Sequence, residues 1–272
     1  MQRKGEQKIT MKDLNQKVIS LIDKYGNDYR SALRAHVNLE YFMALSPLRE
    51  NLLEWYEFRR DASLLQVGAD FGALTGLFRQ RVNHVEVWDE SEESLDVVRA
   101  RFPEVKKEAE QPSASCALSL TSEPLEKIAA AGKRYDYVVC AGSLREPVSE
   151  WAELLKSLLK PGGTLLLAAC NRFGLKYFAG APRDSVSVMR GQLAGLFPGC
   201  EFYYPMPDYR VPSVIYSDRC LPARGELAGM HPLYDFPEYP FTDVGADFEA
   251  ACEDGQFGNF ADSFLIIWEK GE

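Results

Sequence analysis

The sequence predicts an α/β protein built on a mostly parallel sheet with helices on both faces. Between residues 64 and 170, short apolar runs alternate with stretches of helical periodicity. Strands that are separated by helices are joined by right-handed crossovers, which bring the strands side by side in parallel. The runs are almost continuously apolar, as expected of strands covered on both sides. Together these observations predict a doubly wound sheet of seven strands.

The N-terminal part is predicted to form helices that cap this sheet. In LNQKVISLIDKYG, apolar residues recur at the spacing of one helix face, and Gly26 follows as a stop signal. A second helical region covers residues 29–58 and is interrupted by Pro47. We therefore expect a helical segment over residues 1–60 and a sheet domain over residues 61–272, with a loop-rich part at 171–262.

The elements of the sheet domain follow in regular order along the chain. The strand runs are LLQVGA, HVEVWD, CALSL, YDYVVCAG and GTLLLAAC. The helical runs between them are ALTGLFRQRV, SLDVVRARF, PLEKIAAAG and WAELLKSLLK. After the loop-rich part, SFLIIWEK is a strong strand run that is predicted to complete the sheet.

The turn after the first strand is the place where an open parallel sheet normally contacts its ligand. In SLLQVGADFGALTGLF, Gly68 and Gly72 let the backbone approach a ligand without a Cβ atom. The next strand ends in VEVWDES, so Asp89 lies at its carboxyl end about 20 residues after Gly68, where an acid suits the hydroxyls of a ribose. Each feature also has a structural explanation, since Asp89 or Ser91 could cap the following helix. In combination they predict a nucleoside-containing ligand.

On these motifs the sequence resembles the class I S-adenosylmethionine (SAM)-dependent methyltransferases. The matching stretches are LLQVGADFGALTGLF, VEVWDES, YDYVVCAGSL and, most specifically, LLKPGGTLLLAA. The resemblance covers about residues 50–270 and implies a Rossmann-like fold, SAM as the cofactor and methyl transfer as the reaction. The cofactor-binding residues that it implies are Gly68, Ala69, Asp70, Gly72, Asp89, Glu90, Ala141 and Gly142.

Two further stretches, NRFGLKYFAGAP and YYPMPDYRVPSVIYSD, look like a bacterial methyltransferase subgroup associated with cell-surface polysaccharide and glycosyltransferase functions. This resemblance implies a small-molecule, sugar or polysaccharide-precursor acceptor, and a glycosyltransferase as partner or fused domain. Four tyrosines could stack on sugar rings, although tyrosines along an edge strand more often pack across strands. They are Tyr203, Tyr204, Tyr209 and Tyr216.

Two positions of the first motif depart from the family pattern. Gln66 stands where the family usually has an acid, and Asp70 stands where it has a glycine. Asp70 adds bulk beside the ligand but could take over the contact with the ammonium group of the cofactor. The alternative is a catalytically degenerate module that binds or scaffolds surface-glycan assembly. A nicotinamide-dependent oxidoreductase is a third hypothesis, but the full G-x-G-x-x-G spacing is missing.

The candidate catalytic residues follow the fifth strand, where this architecture often places substrate contacts. They are Asn171, Lys176 and Tyr177, although Asn171 could cap a helix and Tyr177 could simply pack. His231 could reach the site on a loop, but a surface turn histidine is the commoner case. A general base near a hydroxyl acceptor would assist the reaction.

Composition excludes several other classes of function. The formal net charge of −9 argues against nucleic acid or anionic membranes as the main partner. No apolar run is long enough to span a membrane and the N-terminus is polar, so we expect a cytoplasmic protein. The six cysteines include no C-x-x-C pair, so no metal site is indicated. Cys116, Cys140 and Cys170 fall in apolar runs and are expected to be buried and reduced.

Overall fold

A computed structural model describes residues 10–103, 116–184, 186–227 and 241–271. Across these residues eight strands form one sheet in the order β3-β2-β1-β4-β5-β8-β6-β7. The strands are β1 Ser63–Val67, β2 His84–Trp88, β3 Ala117–Thr121, β4 Tyr135–Ala141, β5 Leu159–Cys170, β6 Glu201–Met206, β7 Val214–Ser217 and β8 Ser263–Glu269.

The prediction of a mostly parallel, doubly wound sheet is confirmed. Strands β1 to β5 run parallel to one another, whereas β8 lies between β5 and β6 and is antiparallel to both. The expected seven strands become eight because β7 pairs with β6 as an antiparallel hairpin, with Tyr204 opposite Tyr216. This strand has only four residues and is flanked by prolines and serines, which made the segment resemble a loop.

Helices cover both faces of the sheet. In chain order they are α1 Met11–Tyr25, α2 Tyr29–Ala35, α3 Leu39–Leu45, α4 Thr75–Arg81, α5 Glu92–Arg101, α6 Leu125–Ala130, α7 Val148–Ser157, α8 Leu175–Phe178, α9 Arg190–Leu196, α10 Val244–Glu253 and α11 Phe257–Phe260. Two 3₁₀ helices lie at Pro47–Leu52 and Asp70–Gly72. Val138 and Val139, which are adjacent in β4, are buried in clusters on opposite faces of the sheet. The central strands are therefore apolar on both sides.

The N-terminal helices pack on the domain through α1, which lies against α5. Gly26 ends α1 with a positive φ of 57°, as the sequence predicts. The second helical region breaks earlier than expected, before Pro47, because Asn38 begins a new helix by accepting a hydrogen bond from the Tyr41 amide at 3.1 Å. Within the described ranges, no helix is both long and apolar enough to cross a membrane.

The three cysteines predicted to be buried are buried, and they are free thiols. Burial raises the pKa of Cys140 and that of Cys170 to about 12. Since the thiolate is the nucleophilic form, neither side chain is a reactive cysteine at neutral pH.

At the amino end of the sheet, Asp136 joins three parallel strands. Its Oδ2 atom accepts hydrogen bonds from the amide and hydroxyl of Ser63 at 2.9 and 2.7 Å and from Nζ of Lys160 at 2.7 Å. Its Oδ1 atom accepts one from Arg59 at 2.9 Å. Burial by itself would raise the pKa of Asp136, but the bonds from Lys160 and Ser63 outweigh it and hold the pKa well below its usual range.

This lowered pKa predicts how stability depends on acid. The contribution of Asp136 is complete above its unfolded-state pKa of about 3.9 and is lost as the pH falls toward the lower folded-state value. Asp136→Asn should therefore lower the free energy of unfolding at pH 7 by about 1–3 kcal/mol and flatten its decline below about pH 4. Urea titrations at pH 7 and pH 3 measure both effects. Equal losses at the two pH values would contradict this account.

Candidate functional site

The carboxyl ends of β1, β2 and β4 face a cavity of about 190 Å³. It is called the nucleoside cavity below, after the ligand that the sequence motifs predict. Its walls come from α1, the first 3₁₀ helix, the turn after β1, α5 and the loops after β2, β4 and β6. This is the position where the strand order reverses and where open α/β sheets bind ligands. The N-terminal helices thus contribute directly to the site, through Met11 and Asn15.

The turn after β1 is held by Gln66, which is buried. Its Nε2 atom donates hydrogen bonds to the carbonyl oxygens of Gly68 and Ala69 at 2.9 and 3.3 Å, and its Oε1 atom accepts one from Thr75 at 2.8 Å. The residue that replaces the acid of the family motif therefore holds the turn from beneath it. Its amide group gives two carbonyl oxygens of the turn a buried hydrogen-bond donor.

Four of the five positions from 68 to 72 have positive φ values. Gly68 and Gly72 have φ values of 94° and 71°, which glycine adopts freely. Asp70 and Phe71 also have positive φ values, 41° and 55°, which are costly for side chains with a Cβ atom. Phe71 is held there by packing against the N-terminal helices and by a hydrogen bond from Arg101 to its carbonyl oxygen at 3.0 Å.

Asp89 lies at the carboxyl end of β2 and lines the nucleoside cavity, as predicted. Its Oδ2 atom accepts a hydrogen bond from the Ala69 amide at 2.9 Å, and its Oδ1 atom accepts one from the Ser91 amide at 2.9 Å. The cap of the following helix is Ser91, which accepts from the Ser94 amide at 3.2 Å. Asp89 therefore ties β2 to the turn after β1 at the wall of the cavity.

An ion pair that sequence analysis missed crosses the site. Arg49, from the first 3₁₀ helix, bonds to the carboxylate of Asp70. Arg49 is only 5% exposed and Asp70 is 24% exposed, so the pair is largely removed from solvent. A buried arginine requires a partner of opposite charge, but the two residues lie on separate elements and no local pattern connects them. Arg210 adds a second guanidinium to the cavity wall and pairs with Asp208 at 2.6 Å.

Two side chains cover the glycines that would face a ligand. A Cβ atom built on Gly68 would lie 1.8 Å from Oγ of Ser143, and one built on Gly142 would lie 2.6 Å from the Tyr209 hydroxyl. Ala141 and Gly142 line the cavity as expected. The glycines therefore allow close approach, but in this conformation Ser143 and Tyr209 occupy the space.

Four of the eight predicted cofactor contacts do not line the cavity, namely Gly68, Ala69 and Gly72 of the turn after β1, and Glu90. The carboxylate of Glu90 pairs with Arg145 at 2.8 Å, and the Arg145 guanidinium lies 5.0 Å from the ring centre of Trp88 and 4.9 Å from that of Trp151. This stack closes the surface between the ends of β2 and β4. The result differs from the contact that the resemblance implies, because Glu90 turns toward Arg145 in the loop after β4.

Asn171 lies after β5 as predicted, but its side chain is buried and engaged with the backbone. Its Nδ2 atom donates to the carbonyl oxygens of Asn259 and Ala261, both at 2.8 Å, and its Oδ1 atom accepts from the Phe173 amide at 3.0 Å. These bonds fix the chain that leaves β5 against α11. Both polar atoms of the Asn171 amide are therefore engaged in structural hydrogen bonds to the backbone.

Lys176 and Tyr177 are buried themselves and contact Asp184, whose side chain is 40% exposed. Nζ of Lys176 lies 3.8 Å from Asp184 and 3.9 Å from Asp208, and its side chain is 3% exposed. Tyr177 donates a hydrogen bond to Asp184. Burial, reinforced by the acid, raises the pKa of Tyr177 far above its ordinary value, so the phenol stays protonated. These contacts support the loop after β5 from within.

The remaining candidates divide between the core and the undescribed part of the chain. Tyr204 is fully buried and Tyr216 is 9% exposed, and both pack against Phe257. Packing across strands therefore explains them, as the alternative to sugar stacking predicts. His231 lies outside the described residues. No group of three metal-ligating side chains is present in the ranges that the structure describes.

Comparison with known proteins supports the architecture. No protein-family model matches the chain, and no curated protein matches it. A solved complex between the Haloferax volcanii Trm112 methyltransferase activator and the putative methyltransferase is similar at a TM-score of 0.51 and 12% identity, covering 96% of this chain and 98% of that one. The chain has the class I methyltransferase fold. The low identity limits this conclusion to the fold.

Two other similar structures are more distant. A SAM-dependent methyltransferase from Archaeoglobus fulgidus has a TM-score of 0.49 and 12% identity, covering 84% of this chain and 94% of that one. The N-methyltransferase NodS from Bradyrhizobium japonicum, in complex with S-adenosyl-L-homocysteine, has a TM-score of 0.44 and 13% identity, covering 95% and 99%. The fold assignment rests on the strand order and on the Haloferax structure.

The ion pair across the cavity predicts a specific pattern of stabilities. Asp70→Gly removes the partner of a buried cation, which costs about 3–5 kcal/mol in a fully buried pair, but it also relieves a backbone strain of about 1–2 kcal/mol. We expect a net loss of about 1–3 kcal/mol, because Asp70 is partly exposed. The double variant Arg49→Met with Asp70→Gly should recover most of it. Chemical denaturation of the four proteins in this cycle measures the coupling, and additive losses would contradict the pairing.

Proposed function

We propose that the chain binds SAM in the nucleoside cavity and transfers its methyl group to an acceptor. The observation that carries this proposal is the position of Asp89, which faces a cavity between the turn after β1 and the end of β4. In a sheet of this strand order, an acid at that point suits the hydroxyls of a ribose. The proposal depends on this site rather than on the fold alone.

The charged groups of the cavity match the chemistry of the cofactor. The methionine end of SAM carries an ammonium group and a carboxylate, and the cavity offers Asp70 and Arg49, which bear the complementary charges. The two side chains pair with each other in this conformation. We infer that they exchange this mutual pairing for contacts with the two ends of the ligand.

The volume of the cavity requires a rearrangement before a ligand of this size can enter. The cavity has a volume of about 190 Å³. Small-molecule sites usually have volumes of about 300–1,000 Å³. The lining of the cavity includes Ser143, which lies beside Gly68, and the paired side chains of Arg49 and Asp70. Rotation of these three side chains would open the space without moving the sheet. The binding-competent conformation then has a free-energy cost that lowers the apparent affinity.

When bound, the cofactor supplies a methyl group already activated on a sulfonium. The chain needs to position the donor and the acceptor and to exclude water. Asp89 and the turn after β1 would orient the nucleoside, and Met11 and Asn15 of α1 would close the cavity over it. The N-terminal helices therefore act as a cover, consistent with their predicted role as a cap.

For the acceptor, we propose a small molecule that approaches the carboxyl ends of β4 and β5. The sugar or polysaccharide-precursor class, and a glycosyltransferase as partner, are supported only by the sequence stretches NRFGLKYFAGAP and YYPMPDYRVPSVIYSD. Phe173 and Phe178 are exposed after β5 and provide apolar surface at this end of the sheet. They favour an acceptor with an apolar face.

A second candidate function follows from the closed cavity. If the ion pair between Arg49 and Asp70 never opens, the domain is a methyltransferase fold that serves in binding or scaffolding. The small volume and the positive φ of Asp70 favour this alternative. The two functions differ in whether SAM binds at all.

Isothermal titration with SAM and with S-adenosylhomocysteine separates them. We expect both ligands to bind, and Asp89→Asn, which keeps the shape of the side chain, to weaken binding by about tenfold or more through loss of charged hydrogen bonds. Asp96→Asn is the matched control, since Asp96 lies on α5, pairs with Arg99 at 2.7 Å and does not line the cavity. No heat with either ligand, from protein that unfolds cooperatively, would favour the scaffolding function.

The variant Asp70→Gly adds a test of the rearrangement. Removing this side chain frees volume and releases Arg49 for the carboxylate of the ligand, so we expect binding of S-adenosylhomocysteine to tighten by about tenfold relative to the wild type if opening limits affinity. S-adenosylhomocysteine is used because it has no methyl group to transfer, so its affinity is measured without turnover. Weaker binding by this variant would mean that the contact of Asp70 with the ammonium group is worth more than the cost of separating the ion pair.

A further inference from the structure

A second cavity, of about 550 Å³, lies between the first 3₁₀ helix with the turn that follows it and the β6–β7 hairpin. We call it the edge cavity. It shares no lining residue with the nucleoside cavity. Its volume falls within the range of small-molecule sites, and it is formed by β7, the strand added to the edge of the sheet.

The edge cavity has an aromatic wall whose rings are fixed in place. The indole Nε1 of Trp55 donates a hydrogen bond to the Leu52 carbonyl oxygen at 2.9 Å, and the ring lies 4.9 Å from that of Tyr203 at an angle of 42°. Trp55 is nevertheless 43% exposed. A large aromatic side chain that is held rigidly and still offers a face to a cavity is preorganised for a ligand.

The residues that line this cavity carry charge of one sign. Glu54 is the one acidic residue among the described residues of the lining, which include no lysine, arginine or histidine. The Glu54 side chain is exposed, and its carbonyl oxygen accepts a hydrogen bond from Arg81 at 3.1 Å. The opposite wall consists of the partly exposed Val214 and Ile215 of β7.

We propose that the edge cavity binds an organic cation, namely an ammonium group with an apolar or N-methylated body. The faces of Trp55 and Tyr203 attract such a cation through their ring quadrupoles. The carboxylate of Glu54 supplies the opposite charge, and Val214 and Ile215 contact the apolar part. An anionic ligand is disfavoured by Glu54, and a strongly hydrated inorganic cation does not match the apolar walls.

The two walls of the edge cavity are joined by a direct hydrogen bond. Nδ2 of Asn51 donates to the Pro212 carbonyl oxygen at 2.9 Å. Asn51 follows Arg49 in the same 3₁₀ helix, and Pro212 follows Arg210 in the same loop, while Arg49 and Arg210 line the nucleoside cavity. The same two segments therefore border both cavities, although the proposed cation site does not depend on SAM binding.

A matched pair of probes tests the proposal. Choline carries a quaternary ammonium group, and 3,3-dimethylbutan-1-ol is its neutral isostere with carbon in place of nitrogen. Titration of the wild-type protein, followed by tryptophan fluorescence and by calorimetry, should show choline binding about tenfold more tightly than the isostere, in line with the strength of a desolvated cation–π contact. Equal binding of the two, or no binding of choline at millimolar concentrations, would overturn the proposal.

Variants of the lining residues locate the site. Trp55→Ala and Glu54→Gln should each weaken choline binding by about fivefold to tenfold, whereas Trp55→Phe, which keeps an aromatic face, should retain most of it. Glu57→Gln is the control, because Glu57 is an exposed acid nearby that does not line the cavity. Choline binding that is unchanged in Trp55→Ala would place it elsewhere and contradict the assignment. Since Glu54 and Trp55 are exposed, these variants are expected to fold.

Discussion

The ion pair between Arg49 and Asp70 determines the state of the nucleoside cavity. A guanidinium that is almost fully buried needs a carboxylate, and Asp70 provides it only by standing in the left-handed region of the backbone, where the family motif has glycine. The pair joins the N-terminal helical region to the turn after β1. It also fills the space that a ligand would take, so the same contact that stabilises the cap opposes binding.

The rest of the site is built so that this pair can change without disturbing the sheet. Gln66 holds the turn from below and Asp89 holds it from the side, and both bond to backbone groups rather than to Asp70. At the other end of the strands, Asp136 joins β1, β4 and β5 independently. The Arg49–Asp70 pair can therefore separate without breaking the hydrogen bonds that Gln66 and Asp89 make to the turn.

Two kinds of feature could be predicted from the sequence: elements with a short hydrophobic period, and residues that lie close together along the chain. Alternating strands and helices predicted the parallel sheet, and the spacing from Gly68 to Asp89 placed the acid beside the turn. Arg49 could not be predicted, because its partner lies on another element and a buried charge leaves no periodic signal. The sequence correctly placed Asn171, Lys176 and Tyr177 after the fifth strand. It could not show whether their side chains turn to the cavity or to the core. That depends on packing between distant elements, here α8, α11 and the loop after β6.

The central claim is that the nucleoside cavity opens around SAM by separation of Arg49 from Asp70. A crystal structure of the protein grown with saturating S-adenosylhomocysteine tests this most directly. The account predicts ligand density between Asp89 and the turn after β1, with the ribose hydroxyls on Asp89 and the Arg49 and Asp70 side chains parted. A structure under the same conditions in which the pair remains closed and the ligand is absent from the cavity would contradict it.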